Sequence, residues 1–532
     1  MSLSQLEQQK KALMASDGLQ AETLLAQMLE AAELTLAEMG ELALHFFQSG
    51  RYALAAMVFA KWAEREPQNP EPWTNLGYTQ LKQENFQEAR TLTEYALSLD
   101  PNYFSALTNL CDIYLQLGLH EQQLRVAQQS VAIQPQSWIA HNNLGTALWY
   151  NGQVVQAKSA FAESLRIRPN YFEARLNLAK MMSDEGEHVS AMREYEQLLR
   201  NEHLDFRDKE VVEFYLSFEC LYAGRLREGW ALYERGFSPN ISPLLARKPA
   251  RTFQVPRWQG EPLERQQKLL IWREQGIGDE LRFLSLLQRM PIDESHWIIE
   301  TDARLVNILQ RAFPRAEVKA ESANTHQHFP LFDGYHIPAG SLAQWLLPTK
   351  ESLPKLPGYL TAAKIEKERF SERFASFQGC RKIGLCWRSH KTNAVRNKKY
   401  SALQDWKDLL RLPNVVFVSL QYGDAEEEIL AIEKELGISI LRWSDVNLKD
   451  DLEAVLGILH HLDQVVSTST AVVPLAGAMG KPTLFLGHPS WILLGETKNY
   501  PWHASVTPVL VSPSQAVASG IQSVVNALLG NA

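Results

Sequence analysis

Between residues 36 and 205 the pattern of apolar and small residues returns every 34 positions. Pro67, Pro101, Pro135 and Pro169 share this register, as do the pairs Asn75-Leu76, Asn109-Leu110, Asn143-Leu144 and Asn177-Leu178. Ala55, Ala89, Ala157 and Ala191 hold a small-residue position, with Gln123 the one departure. The period predicts paired helices. Leu on the first helix and Ala on the second let the two cross closely, and Pro stops the second before the next unit begins. No unit can bury its own face, so stacking must supply the core and leave a concave groove. Five units fit within 36–205, the first degenerate. Leu and Ala at helical spacing predict a helical cap over 1–35. Residues 206–250 predict one more helix pair, closing with GRLREGWALYERGF, and a Pro- and Arg-rich connector.

Beyond the connector the pattern changes to alternating strands and helices. KLLIWRE and HWIIETD predict strands, with GIGDELRFLSLLQRM a Gly-rich turn entering a helix between them. A second series opens at KIGLCWRSH and runs through helix SALQDWKDLLRL, strand VVFVSLQ, and helices DAEEEILAIEKELG and DLEAVLGILHHL. Strand DQVVSTS, helix TAVVPLAGAMG and strand PTLFLG complete it. Such alternation implies parallel sheets covered on both faces. The expected fold class is α + α/β: an α-solenoid, then two Rossmann-like lobes over 251–360 and 361–532. Ligands are expected beyond the carboxyl ends of the strands.

A 34-residue period is that of the tetratricopeptide repeat. Trp73, Leu76, Gly77, Ala89, Ala96 and Pro101 resemble its consensus. Asn75, Asn109, Asn143 and Asn177 occupy one place in four successive first helices, so stacking lines up four amides. Such a row can hydrogen-bond an extended peptide's backbone whatever its sequence. It resembles the asparagine ladder of eukaryotic O-linked N-acetylglucosamine transferases. The alternative is that each Asn bonds a neighbouring helix carbonyl. Glu41 takes the equivalent place in the first repeat.

Composition narrows the partners. The 532 residues are 45% hydrophobic and 21% charged, with net charge −8, which excludes disorder and offers no basic excess for nucleic acid or an anionic membrane. The N-terminus lacks a signal peptide's apolar core and no run is long enough to span a bilayer, so a cytoplasmic location is expected. Cys111, Cys220, Cys380 and Cys386 are scattered and predict reduced thiols. His326 with His328, and His460 with His461, lack a convincing third ligand nearby, so no metal and no other cofactor is expected.

Four segments at strand ends carry candidate chemistry. In Gly276-Ile-Gly278-Asp279 the glycines allow close backbone approach and the helix start presents free N–H groups. Asp279 is a candidate base for taking a proton from an acceptor hydroxyl, or else a helix cap. Arg388, His390, Lys391, Arg396, Lys398 and Lys399 follow KIGLCW, placed to neutralise a nucleotide's phosphates or else simply solvated. Ser467, Thr468, Ser469 and Thr470 offer hydroxyls and amides to a phosphate or ribose, or cap the next helix. Gln421 and Tyr422 are candidates for contacting a base.

Together, Trp258-Gln259-Gly260-Glu261-Pro262, EQGIGDELRF, GLCWRSH, FVSLQYG and VVSTSTAVVPLAGAMGKPTLFL resemble bacterial repeat-containing proteins with a heptosyltransferase-like GT-B module, over about 250–510. That resemblance implies an inverting, metal-independent, nucleotide-sugar-dependent glycosyltransferase, with Asp279 as base and Lys399 as phosphate ligand. The sequence departs from heptosyltransferases at Ser469-Thr470-Ala471, where they carry Asp-Thr-Gly, and at Pro474, where they carry His. The layout resembles flagellin glycosyltransferases. The expected function is therefore transfer of a sugar to Ser or Thr of a protein held by the repeats, with flagellin a plausible acceptor. The alternatives are a non-catalytic scaffold and a lipid or polysaccharide glycosyltransferase.

Overall fold

The computed structural model describes residues 13, 16, 18–31, 34–241, 246–247, 251, 253–321, 332–353, 356–389 and 399–530. The chain divides into two compact units, 1–178 and 179–532. After α1 (Gly18–Ala31), helices pair in the predicted register: α2 (Leu36–Gln48) with α3 (Tyr52–Arg65), α4 (Pro70–Lys82) with α5 (Phe86–Leu99), α6 (Phe104–Leu117) with α7 (His120–Ile133), and α8 (Trp138–Tyr150) with α9 (Val154–Ile167). Then come α10 (Phe172–Asp184) and α11 (His188–Leu199), and α12 (Phe206–Tyr222) with α13 (Leu226–Tyr233). The first helices begin at 36, 70, 104, 138, 172 and 206, so the 34-residue period persists into the sixth pair. There the first helix has 17 residues against 13 in α10, one extra turn.

Small residues stand where the paired helices cross. A Cβ on Gly77 would come within 2.2 Å of Thr93 Oγ1, and one on Gly145 within 2.7 Å of the Phe161 ring. Ala89, Ala157 and Ala191 are fully buried at the opposing position. Gln123 is buried there too, and among the described residues its Oε1 has no hydrogen-bond partner.

The second unit holds two wholly parallel sheets. The first contains β1 (Lys268–Trp272), β2 (Trp297–Thr301), β3 (Glu317–Ala320) and β4 (Gly334–Pro338) in the order β3-β2-β1-β4. Helix α14 (Ile277–Leu284) follows β1, α15 (Val306–Ala312) follows β2, and α16 (Leu342–Leu346) follows β4. After α17 (Lys364–Arg373) the second sheet begins with β5 (Arg381–Cys386), α18 (Lys407–Leu410), β6 (Val415–Ser419), α19 (Glu426–Leu436) and β7 (Ile440–Leu441). It continues through α20 (Leu452–His461), β8 (Gln464–Ser467), α21 (Val472–Ala478), β9 (Thr483–Gly487), β10 (Val506–Leu510) and α22 (Ile521–Leu528). Its order is β10-β9-β8-β5-β6-β7. That is the doubly wound 3-2-1-4-5-6 order, and the first sheet repeats its 3-2-1-4 portion. SALQDWKDLLRL is mostly not α-helix: it makes a 3-10 turn over 403–406 before the short α18. α14 likewise tightens into 3-10 geometry at Ser285, whose hydroxyl donates to the Arg282 carbonyl. The sixth helix pair enters the α/β core: Phe214, Leu221, Leu226, Trp230 and Tyr233 belong to one buried cluster with Leu269, Phe283 and Trp502.

Candidate functional site

In a doubly wound sheet the chain leaves the first-formed strands in opposite directions, opening a crevice beyond their carboxyl ends. In the second sheet that point lies between β5 and β8, where Cys386 pairs with Ser467. The predicted residues Arg388 and Ser467–Thr470 sit at these ends. Ser467 and Thr468 are fully buried, Ser469 is exposed, and Thr470 is nearly buried. Thr470 Oγ1 accepts from Val472 N (3.2 Å) at the start of α21 and lies 2.9 Å from Ser467 Oγ. These two hydroxyls are thus engaged within the turn, and Ser469 is the one that faces solvent. Thr468 Oγ1 has no partner among the described residues.

Two predicted ligand residues are committed to protein instead. Gln421 Oε1 accepts from Trp387 N and Arg388 N (both 3.1 Å), while its Nε2 donates to the carbonyls of Arg388 (2.9 Å) and Tyr422 (3.0 Å). An amide has two donors and two acceptor sites, and all four are used. Gln421 therefore ties the loops after β5 and β6 together rather than presenting its amide to a base. Arg388 pairs with Glu428, and its NH2 donates to the Asp424 carbonyl (2.9 Å). Glu428 also accepts from Trp387 Nε1 (3.1 Å) and Leu403 N (2.5 Å), so the carboxylate is a hub in α19. Burial raises the Tyr422 phenol above its ordinary range. Lys399 is exposed. His390, Lys391, Arg396 and Lys398 lie outside the described residues, as do His326 and His328.

The turn 273–279, at the carboxyl end of β1, meets this region. Gly278 lies against Ala471 and Pro474: a Cβ there would be 3.5 Å from Ala471 Cα and from Pro474 Cγ. Two segments nearly 200 positions apart in the chain are thereby brought face to face. A Cβ on Gly276 would have no neighbour within 4 Å among the described residues. Asp279 makes no side-chain cap to α14. Its Oδ1 accepts from Arg282 NH1 at 2.6 Å, one turn along the helix. Arg282 is buried, and its Nε donates to Tyr500 Oη (3.2 Å) from the segment after β9. Burial alone would lower the Arg282 pKa; Tyr500 and Asp279 outweigh it and keep the guanidinium charged. Beneath it His503 is fully buried, both ring nitrogens lack partners among the described residues, and burial together with Arg282 lowers it to about 3.

Behind the turn, Glu280 is fully buried. It accepts from Thr301 Oγ1, from Asp302 N (3.3 Å) and from Arg273 Nε (3.2 Å). Burial raises its carboxyl to about 7 against these opposing partners. Glu280, Arg282, Glu428, Tyr500 and His503 were not picked out from the sequence. Tyr500 is 218 positions from Arg282, and no local spacing announces such a pair.

In the repeats Asn109, Asn143 and Asn177, three of the four asparagines, act as struts. Asn109 Nδ2 donates to Thr74 O (3.5 Å) and Asn143 Nδ2 to Thr108 O (3.4 Å), while Asn177 Nδ2 donates to Asn142 Oδ1 (3.1 Å). Each bond spans 35 positions and joins successive first helices, so a neighbouring-helix carbonyl is the partner of Asn109 and of Asn143. Asn143 is buried, whereas Asn75, Asn109 and Asn177 are half-exposed. Among the described residues no group of three or more His, Cys, Asp or Glu side chains is placed to hold a metal, and His461 Nε2 lies 2.7 Å from the Lys367 carbonyl. All four cysteines are free thiols. No helix of the described residues is long and apolar enough to cross a membrane.

Comparison with known proteins agrees with the repeat assignment. Residues 70–103 and 142–202 match tetratricopeptide-repeat family models. The chain is 24% identical over 154 residues to the BBSome complex member BBS4 of Mus musculus, covering 28% of this chain and 29% of that protein. Among solved structures, TTC0263, a thermophilic TPR protein of Thermus thermophilus, is 22% identical, with TM-score 0.30, over 32% of this chain and 92% of that one. MamA of Desulfovibrio magneticus is also 22% identical, with TM-score 0.28, over 31% and 96%. Protein FlbA of Caulobacter vibrioides is 32% identical over 435 residues, 79% of this chain and 71% of that protein. The chain is a tetratricopeptide-repeat protein with a parallel-sheet C-terminal part, and it belongs to the family of Protein FlbA.

Proposed function

We propose that the C-terminal part is a GT-B glycosyltransferase module and that the protein moves a sugar from a nucleotide-sugar donor to Ser or Thr hydroxyls of a protein. The observation that carries this reading is the meeting of Gly276–Asp279 with Ala471–Pro474 at the strand ends of two Rossmann-ordered sheets. In it the donor lies at the β5–β8 crevice, near Ser469, and Lys399 neutralises its phosphates. Asp279, held by Arg282, takes the acceptor proton as the hydroxyl attacks the anomeric carbon, and the nucleotide leaves with the bond electrons. Repeats that bind proteins supply the acceptor, for which flagellin is one candidate. No metal takes part.

A second reading, a scaffold whose transferase module has lost activity, is favoured by the commitment of Arg388 to Glu428 and by Ser469 and Pro474. Thermal stabilisation by UDP, GDP, ADP, CMP and dTDP separates the two. The transferase reading requires a shift with at least one of them that is lost in Lys399→Ala. Flat melting curves with all five at millimolar concentration would leave the scaffold.

A further inference from the structure

We propose that Tyr233 and Arg247, from the sixth helix pair and its connector, are positioning residues for the turn that carries Asp279. In the first sheet the topological crevice lies between β1 and β4, beyond whose ends stand residues 273–276 and 339–341. The protein's own side chains fill it. Arg247 is fully buried there. Its Nε (2.6 Å) and NH2 (2.5 Å) donate to Glu274, its NH2 also to Ser341 Oγ (2.8 Å), and its NH1 to Glu234 (2.9 Å). Glu274 in turn accepts from Gly340 N at 2.7 Å, stitching the β1 and β4 ends together. The guanidinium lies over the rings of Tyr233 (4.3 Å) and Phe237 (4.2 Å). A Cβ on Gly340 would sit 2.5 Å from Glu274 Oε1 and would displace that carboxylate from its partners.

The next residue is held from the same side. Gln275 has φ +59°, a left-handed conformation costly for a residue with a Cβ. It persists because Gln275 Nε2 donates to Tyr233 Oη (3.0 Å) and Arg273 NH2 donates to the Gln275 carbonyl (3.3 Å). Gly276 then starts α14, and Asp279 follows within its first turn. The aim of Asp279 is thus set by a helix pair that, by register, is a repeat, and by a connector more than 25 positions upstream. This assigns the sixth pair to the α/β site rather than to peptide binding. The inference rests on the transferase reading for what Asp279 does, and on the turn's own contacts for how it is held.

The test uses the full-length protein. Arg247→Ala would strand the buried Glu274 without its cation and risks misfolding, so Tyr233→Phe and Gln275→Gly are used. Glycine adopts the left-handed backbone freely but lacks the tethering amide. Hydrogen exchange of peptides covering 273–280 should accelerate about three- to ten-fold in Tyr233→Phe, the factor one hydrogen bond is worth, with 381–386 unchanged. In the Gln275→Gly background Tyr233→Phe should have no further effect, because the contact it removes is already gone. Unchanged exchange at 273–280, or effects that simply add, would overturn the inference. In turnover, Tyr233→Phe should lower kcat by a similar factor and leave donor KM within about two-fold. The exchange arm needs no activity, so an inactive wild-type protein would defeat the transferase reading alone, while an active one with unmoved exchange would defeat this inference alone.

Discussion

Replacing Glu280 by Gln should make the first sheet's stability less dependent on pH, in a direction the burial of this residue dictates. Its carboxyl has an ordinary value of 4.5 and is raised to about 7 in the folded protein. A raised carboxyl contributes fully below pH 4.5, where both states are protonated, and its contribution is lost as pH climbs through 7. From 4.5 to about 7, at 1.36 kcal/mol per pKa unit, the whole loss is about 3 kcal/mol, and the part falling between pH 5.5 and 8 is about 2 kcal/mol. Gln keeps the oxygen that accepts from Thr301 and Asp302 and cannot ionise; what it gives up is the charge facing Arg273. Native-state hydrogen exchange of peptides from β1 and β2, compared with wild type at each pH, isolates the effect because intrinsic exchange rates cancel. The protection of Glu280→Gln relative to wild type should rise by about 2 kcal/mol from pH 5.5 to 8. A constant or falling difference would show that Arg273 holds Glu280 ionised throughout, and would refute the reasoning.

Other outcomes follow from the same contacts. His503, lowered to about 3 from an ordinary 6.5, has the opposite sign: stability present above pH 6.5 is lost as pH falls towards 3. His503→Phe should therefore flatten the acid limb of a thermal-melting profile between pH 6.5 and 4. Gln421→Ala strips partners from Trp387 N, Arg388 N and the carbonyls of Arg388 and Tyr422, and should cost about 2–4 kcal/mol in urea denaturation. A loss below about 0.5 kcal/mol would mean water replaces the amide. Gly145→Ala pushes a methyl into the Phe161 ring and should destabilise the repeats by about 1–3 kcal/mol, read from circular dichroism melts.

What the sequence conveyed follows a physical line. β1, β2, β5, β6, β8 and β9 were each predicted, and all are interior strands. β3, β4, β7 and β10 were not, and all four are sheet edges. Interior strands of a parallel sheet are buried on both faces and read as apolar runs such as KLLIW and TLFLG. Edge strands are relieved of that demand: EVKA is exposed at both ends, Ile440–Leu441 has two residues, and VTPVL carries Pro508. The repeats were legible because stacking imposes one chemistry at each register position. The candidate site was half legible. Gly276–Asp279 and Ser467–Thr470 stand out in the sequence because strand ends concentrate ligand chemistry, and the structure brings Gly278 against Ala471 and Pro474. Tyr500 and Glu428 act through pairings that only the fold creates, whereas the Asp279–Arg282 pair is an i, i+3 spacing present in the sequence itself. Gln421 and Arg388 look available in sequence because nothing there shows that the amide of Gln421 is fully used and that Arg388 is paired with Glu428.

Sugar transfer itself tests the central claim most directly. The purified protein, incubated with a panel of nucleotide sugars and a Ser/Thr-containing peptide library, should add the mass of one glycosyl unit to hydroxyl-bearing peptides with at least one donor. Asp279→Ala should abolish that gain while leaving donor affinity within a few-fold. No mass gain with any donor, in a protein shown by melting to bind a nucleotide, would contradict transfer to a protein hydroxyl. Undiminished transfer by Asp279→Ala would remove Asp279 as the base.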